Sequence, residues 1–189
     1  MLLKLIINRV RGVLMEPRRE FVSILNENKS RRAILTQYII PFLTLFFVTT
    51  FFGSVIFGPT TFRLGSGVVL RSIFHLILVI LVTLYGSAFI LNKLFSVFQI
   101  PRNGTKAFTL MAYAFTPVYI AMILSGLLPR LEALLNLIGL YSIILFWIGC
   151  ERLIEMPFER RQWFVPIGLI IIILFYLAAK LILGAIFAR

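Results

Sequence analysis

The side chains that most often carry out chemistry in proteins are scarce in this chain of 189 residues. It has one histidine, His75, one cysteine, Cys150, seven glutamates and no aspartate. A metal site needs several His, Cys or carboxylate ligands at suitable spacing, and acid–base catalysis needs groups held close together. Neither residue has such neighbours, and no Ser/His or HExxH arrangement is present. We therefore predict a protein that is not an enzyme, with no catalytic residue, no metal and no cofactor.

One stretch concentrates acidic and basic side chains, which are Glu151, Arg152, Glu155, Glu159, Arg160 and Arg161. The three glutamates follow one another at four-residue spacing, which would align them along one helix. Pro157 interrupts that helix. We expect a loop whose charges screen one another, and the alternative is a cation or acid–base site.

The most informative motif is a proline near the middle of a long apolar run, in Tyr113-Ala114-Phe115-Thr116-Pro117. Proline has no N–H and crowds the carbonyl four residues back, here that of Tyr113, so the helix should bend. In lipid the freed carbonyl needs a hydroxyl, a neighbouring helix or water. We predict that Tyr113 and Thr116 lie at the bend and face protein. The bend is either a static packing kink or a hinge in a discontinuous helix.

A second polar pattern lies in a later apolar run. Asn136, Gly139 and Ser142 follow at i, i+3 and i+6, with Tyr141 adjacent. Small and polar residues of this kind allow helices to approach closely and hydrogen-bond in a membrane. The candidate hinge or helix-contact site therefore consists of Tyr113, Thr116, Pro117, Asn136, Gly139, Tyr141 and Ser142.

Five runs without Asp, Glu, Lys or Arg must position these residues, and they are Ile34–Phe57, Ser72–Asn92, Ala107–Leu128, Ala133–Cys150 and Gln162–Ala179. Each is at least 18 residues long, about what a helix rising 1.5 Å per residue needs to cross ~30 Å of hydrocarbon. The backbone in lipid must satisfy its own hydrogen bonds. We predict an all-α polytopic membrane protein with five transmembrane helices.

The N-terminal 33 residues have a different pattern. Lys4, Asn8 and Arg11 share one helical side and apolar residues fall largely on the other, while Glu16-Pro17 suits a helix start. We predict that residues 1–33 form one or two basic amphipathic helices on the membrane surface and that residues 34–189 form the five-helix domain. The alternative is a docking surface for a cytoplasmic partner. We expect no cleavable signal peptide.

The net charge of +12 is unevenly placed. Of the 19 basic residues, 14 lie in the N-terminal segment and the second and fourth loops, and five lie in the first and third loops and near the C-terminus. This is the positive-inside pattern. It predicts a protein of the cell inner or plasma membrane with a cytoplasmic N-terminus and an outer C-terminus. The basic charge fits anionic lipid headgroups and not nucleic acid.

Several short motifs occur in the order seen in one family, and they are Glu16-Pro17 with Phe21, Ala112-Tyr113, Thr116-Pro117, Pro129, Tyr141 and Gly149. Over nearly its whole length the chain resembles the Yip-one domain family, small membrane proteins named for interaction with Ypt/Rab GTPases. The resemblance implies five membrane helices with a cytoplasmic N-terminus, and in eukaryotic relatives vesicle trafficking at the Golgi and endoplasmic reticulum. The chain has no long acidic or Pro/Gly-rich region before the first span, so it looks more like prokaryotic members. Rab binding is therefore not carried over.

Two functions remain open at this stage. The first is helix-mediated assembly with itself or with other membrane proteins. The second is a small transporter or permease subunit, in which the break at Tyr113–Pro117 and the Asn136/Ser142 stripe line a path. Convergence of these polar residues on one cavity would favour the transporter, and scatter over helix contacts would favour assembly.

Overall fold

The computed structural model describes residues 2–57 and 66–187, which form helices and connecting loops without a strand. Most of the first predicted outer loop, residues 59–67, lies outside this range. Four helical segments are long and apolar enough to cross a membrane, namely Arg31–Phe57, Gly67–Val97, Pro129–Arg152 and Phe158–Phe187. A bent pair, Gly104–Ala114 and Thr116–Leu127, makes a fifth if counted as one span. We number them spans 1 to 5 in chain order, with the bent pair as span 3. The prediction of an all-α polytopic membrane protein is confirmed.

Two helices precede the spans, α1 (Leu2–Met15) and α2 (Pro17–Glu27). Pro17 lies in the first turn of α2, where its missing N–H removes no helical hydrogen bond. Asn28 ends α2 in the left-handed conformation, with φ 42°. The Ser30 hydroxyl then accepts a hydrogen bond from the Ala33 N–H at 3.2 Å and caps the start of span 1.

Span 1 contains a wide turn before its proline. Residues Leu35–Ile39 form a π-helix, in which the Ile40 N–H donates to the Leu35 carbonyl. Pro41 cannot donate to the carbonyl four residues earlier, and a π turn is one way in which a helix absorbs such a disruption. Regular α-helix follows from Ile40 to Phe57.

Span 3 lies at the centre of the bundle. Every residue from Ala107 to Ala114 is buried, and spans 1, 2 and 4 all pack against it. Span 5 is peripheral, packing on spans 2 and 4, with only 11% of its most apolar window buried. Its outward side chains, such as Ile173 and Leu181, are those that hydrocarbon solvates. The helix that carries the predicted bend is therefore the one enclosed by spans 1, 2 and 4.

Span 4 is irregular in its first half. It consists of a 3₁₀ turn at Pro129–Leu131, a short α-helix at Glu132–Asn136, a second 3₁₀ turn at Leu137–Leu140 and a regular α-helix at Tyr141–Arg152. A 3₁₀ turn has three residues per turn instead of 3.6. The polar stripe of this span therefore runs over a changing helical pitch.

Candidate functional site

The bend in span 3 occurs where the proline predicts it. The axes of Gly104–Ala114 and Thr116–Leu127 differ by 41°. Phe115 joins them with φ −92° and ψ 12°, in the region between helix and extended chain. Pro117 lies in the first turn of the second helix, where no helical donor is required. The chain ends one helix and starts another instead of straining a continuous one.

Two hydroxyl groups hydrogen-bond at this break. The Thr116 hydroxyl donates to the Tyr113 carbonyl at 2.7 Å, and the Tyr38 hydroxyl lies 2.7 Å from Thr116 Oγ1. A threonine hydroxyl has one proton. Because that proton points to the Tyr113 carbonyl, Tyr38 is the donor to Thr116. The freed carbonyl is thus satisfied within the protein by the residue next to the proline, whose hydroxyl in turn accepts a hydrogen bond from span 1.

Aromatic contacts surround this hydrogen-bonded chain. The rings of Tyr38 and Tyr113 are 4.5 Å apart, and those of Phe42 and Tyr119 are 5.6 Å apart. Thr116 is fully buried. Tyr38 belongs to the π-helix of span 1, so the irregular parts of spans 1 and 3 face each other. We call Tyr38, Tyr113, Thr116 and Pro117 the broken-helix cluster.

Tyr38 was not among the residues singled out from the sequence. The sequence feature that pointed to it was its position in an apolar run, three residues before Pro41. A buried tyrosine hydroxyl usually finds a hydrogen-bond partner, which in hydrocarbon must be a protein group.

The N-terminal helices are joined by charges. Arg9 of α1 donates to Glu20 at 2.5 Å and to Glu27, both of α2. The two glutamates are seven residues apart and so share one side of α2. Helix α1 also packs against the π-helix of span 1 and against the second half of span 3. Arg9 was not among the residues predicted from the sequence. The feature that pointed to it was the pair of glutamates, Glu20 and Glu27, seven residues apart on the next helix.

Both ends of this ion pair are electrostatically stabilised in their charged forms. Burial alone would raise the pKa of Glu27, but hydrogen bonds from Arg9 and Lys29 and their charges outweigh it, so the pKa is lowered. Burial likewise opposes the charge on Arg9, but the carboxylates of Glu27 and Glu20 outweigh it and raise its pKa. Between them these charges fasten α1 to α2.

The α1–α2 pair also packs against span 4. The Tyr141 hydroxyl donates to the Leu14 carbonyl at 3.0 Å, near the C-terminal end of α1. Phe21 is fully buried, and a Cβ at Gly149 would lie 3.3 Å from its ring. Part of the apolar side of the N-terminal segment therefore contacts protein. Tyr141, predicted as a helix-contact residue, here joins span 4 to α1.

The other predicted residues of span 4 lie in different environments. Asn136 is exposed, Gly139 is half-buried with Val118 at 3.5 Å from a Cβ placed on it, and Ser142 is buried. The Ser142 hydroxyl has no hydrogen-bond partner within the described ranges. The structure thus brings Tyr113, Thr116 and Pro117 together, whereas Asn136 lies on the surface of the bundle.

A close helix crossing lies on the far side of the bend. A Cβ at Gly53 of span 1 would come 1.7 Å from the Gly126 carbonyl oxygen of span 3, and one at Gly126 would come 2.9 Å from the Thr50 nitrogen. Only glycine fits at either position. Gly126 was not among the residues predicted from the sequence. Residue spacing within one helix does not indicate that Gly53 of another span packs against it.

The charged stretch after span 4 forms ion pairs. Glu151 lies 3.1 Å from Arg161 and 3.2 Å from Arg152, and Glu155 lies 3.4 Å from Lys106. Arg161 also sits over the Trp147 ring at 4.9 Å. Glu151 and Arg152 lie at the end of span 4 and the buried Arg161 lies at the start of span 5, so the charges pair across a short connection, residues 153–157, and not within one long loop. In residues 2–57 and 66–187, no group of three or more His, Cys, Asp or Glu side chains is placed to hold a metal ion.

Comparison with known proteins identifies the family. A family model described as the Yip1 domain matches residues 11–180 of the chain. No curated protein and no solved structure matches it. The matched range includes α2, the broken-helix cluster, all of spans 1 to 4 and most of span 5. Together with the apolar helices, this match shows that the chain is an integral membrane protein belonging to the Yip1 domain family.

Proposed function

We propose that this protein acts without enzymatic chemistry, through helix-mediated assembly with itself or with other proteins of the cell inner or plasma membrane. The observation that carries this proposal is the position of Asn136. Its amide is exposed on span 4, among exposed apolar residues that include Leu134, Leu137 and Leu140. An amide on such a face gains most from a hydrogen bond to a neighbouring helix.

The hydrogen bonds of the broken-helix cluster also support the assembly proposal. The Tyr38 hydroxyl bonds to the Thr116 hydroxyl, which bonds to the Tyr113 carbonyl, so this chain of hydrogen bonds joins span 1 to span 3. A cavity of about 330 Å³ lies elsewhere, between the second and fourth loops, and none of the seven predicted site residues lines it. The Tyr38 and Thr116 hydroxyls thus bond within the bundle and not at this cavity, which supports assembly over a transport path.

Replacement of Asn136 tests the proposal. Asn136→Leu replaces the amide with an apolar side chain. We expect this variant to reduce the recovery of co-purifying membrane proteins, or of a second tagged copy, from native membranes. Thr44→Val is the matched control, because the exposed Thr44 hydroxyl already bonds to the Ile40 carbonyl of its own helix at 3.0 Å. Unchanged recovery with Asn136→Leu, at equal protein abundance, would contradict the proposal.

The orientation and lipid contacts follow from charge. We propose that the N-terminus and the second and fourth loops face the cytoplasm, where the basic α1–α2 segment meets anionic headgroups. Single cysteines at Arg102 and Arg63, each on a Cys150→Ala background, test this in intact cells. We expect an impermeant thiol reagent to label position 63 and not position 102. The opposite result would reverse the orientation.

The alternative function is a small transporter or permease subunit. The observation in its favour is the break in span 3, since discontinuous helices form substrate sites in many transporters. Against it, the carbonyl freed at this break is already bonded by Thr116. The test is solute uptake into vesicles that contain the purified protein. Uptake that is present in the wild type and lost in Pro117→Ala would favour the transporter over the assembly proposal.

A further inference from the structure

A cavity of about 330 Å³ opens where the second and fourth loops meet. Span 2 ends at Val97 and span 3 begins at Gly104, while span 4 ends at Arg152 and span 5 begins at Phe158. The cavity therefore lies at the ends of four membrane-spanning helices, a position that fits the depth of lipid headgroups. Its volume is that of a small-ligand site.

The cavity has two cationic side chains in its wall, Lys106 and Arg160. Arg160 donates to the Gln99 carbonyl at 2.8 Å and to Gln99 Oε1 at 3.2 Å. These two bonds hold the guanidinium in place and leave other N–H donors unused. Among the described residues, no carboxylate lies within ion-pair distance of Arg160.

Lys106 is paired only loosely. Its ammonium lies 3.4 Å from Glu155, whose side chain is 69% exposed, and exposed ion pairs contribute little. The wall thus carries two positive charges and one negative charge that solvent screens. An anion entering the cavity would meet a positioned guanidinium and an ammonium.

The rest of the wall is apolar or conformationally unusual. Phe95 and Ile154 line it and are both buried. Gln99 and Glu155, one from each loop, have φ values of 55° and 59°. Each is the left-handed residue that ends a helix, because the Ile100 N–H donates to the Phe95 carbonyl at 2.8 Å and the Met156 N–H donates to the Cys150 carbonyl at 3.1 Å. Two helix ends thus meet at the same cavity.

We propose that this cavity binds a phosphate group, with Arg160 and Lys106 as its ligands. Guanidinium and ammonium groups are the side chains that most often recognise phosphate. The depth of the cavity and its apolar wall fit the headgroup of an anionic phospholipid, whose first acyl carbons would lie toward Phe95 and Ile154. A free phosphate offers the same anion without the apolar part. The site is independent of Asn136 and of the proposed assembly.

Titration of the full-length protein in detergent micelles, followed by native mass spectrometry, tests the site. The probes are dioctanoyl phosphatidic acid, dioctanoyl phosphatidylcholine and inorganic phosphate. We expect one phosphatidic acid per chain to bind saturably, and Arg160→Gln or Lys106→Gln to weaken this about tenfold, because each removes a charge-assisted hydrogen bond. Arg160→Lys, which keeps the charge, should weaken it less.

Arg102→Gln is the matched control. Arg102 is a basic residue in the second loop that bonds to Ser96 at 2.9 Å and does not line the cavity. Its variant should bind as the wild type does. Helical circular dichroism and elution volume show whether each variant is folded.

Binding of inorganic phosphate as tight as that of phosphatidic acid would support the phosphate site and assign it a soluble ligand. Equal binding of phosphatidylcholine and phosphatidic acid would overturn the proposal. So would equal loss in Arg102→Gln and Arg160→Gln, or no saturable binding of any probe.

Discussion

Removal of the Thr116 hydroxyl should destabilise the bundle more than its size suggests. Thr116→Val keeps the shape of the side chain but breaks the bond to the Tyr113 carbonyl and the bond from the Tyr38 hydroxyl. A buried polar group left unpaired costs about 1–3 kcal/mol. Side-chain hydrogen bonds within membranes average closer to about 0.6 kcal/mol. Thr116→Val leaves both the Tyr38 hydroxyl and the Tyr113 carbonyl without this hydrogen bond, at a site with no solvent exposure. We therefore expect the free energy of unfolding to fall by about 1–3 kcal/mol.

Two further variants make this prediction specific. Tyr38→Phe breaks only the second bond and leaves Thr116 on the Tyr113 carbonyl, so we expect a loss of about 1 kcal/mol. Thr109→Val is the control in the same span. Thr109 is buried, but its hydroxyl bonds only to the Thr105 carbonyl of its own helix, at 2.7 Å. We expect its loss to be the smallest of the three.

The assay is equilibrium unfolding of the purified protein in dodecylmaltoside micelles with increasing dodecyl sulfate, followed by the fluorescence of Trp147 and Trp163. The expected order of destabilisation is Thr116→Val, then Tyr38→Phe, then Thr109→Val. A double variant of Thr116 and Tyr38 should lose less than the sum of the single losses, because the two share a bond. If Thr116→Val loses no more stability than Thr109→Val, the hydrogen-bonded break is not what holds spans 1 and 3 together.

Three other perturbations have definite expected outcomes. Gly53→Ala should destabilise the bundle by about 1–3 kcal/mol or prevent its folding, because the new methyl group would meet the Gly126 carbonyl; the same micelle assay and the yield of folded protein measure this. The lowered pKa of Glu27 contributes stability that is complete above its unfolded value of 4.5 and is lost as the pH falls through the lowered value. The protection of amide hydrogens in residues 2–27, measured relative to the intrinsic exchange rate at each pH, should therefore fall on acidification in that window. A Glu27→Gln variant should lack this pH dependence. Pro117→Ala should restore a helical donor and reduce the bend; if the bend is static packing, partner recovery persists, whereas loss of recovery in a folded, abundant variant would make it a hinge.

Much of the fold followed from local sequence. Long apolar runs predict spans because hydrocarbon leaves the backbone no other partner, and the missing N–H of Pro117 predicts a break at Tyr113–Pro117. Proline alone does not decide the outcome, since Pro166 lies inside the continuous helix of span 5. At the break before Pro117, the Thr116 hydroxyl bonds to the freed carbonyl and accepts from Tyr38 of span 1.

The unpredicted features are contacts between distant segments. Tyr38 lies 78 residues from Thr116 in sequence, and Gly53 meets Gly126. Periodicity within one helix reports which side is apolar, but not which helix lies against it. The cavity between Lys106 and Arg160 arises in the same way, from two loops that the charge count treated separately.

We propose that span 4 presents Asn136 to another helix. Its most direct test is a photo-crosslinking amino acid at position 136, activated in native membranes and followed by mass spectrometry, with position 44 of span 1 as the lipid-facing control. We expect crosslinks from position 136 to a membrane-spanning polypeptide, either a second copy or another protein, and only lipid adducts from position 44. Lipid adducts alone at both positions would contradict it.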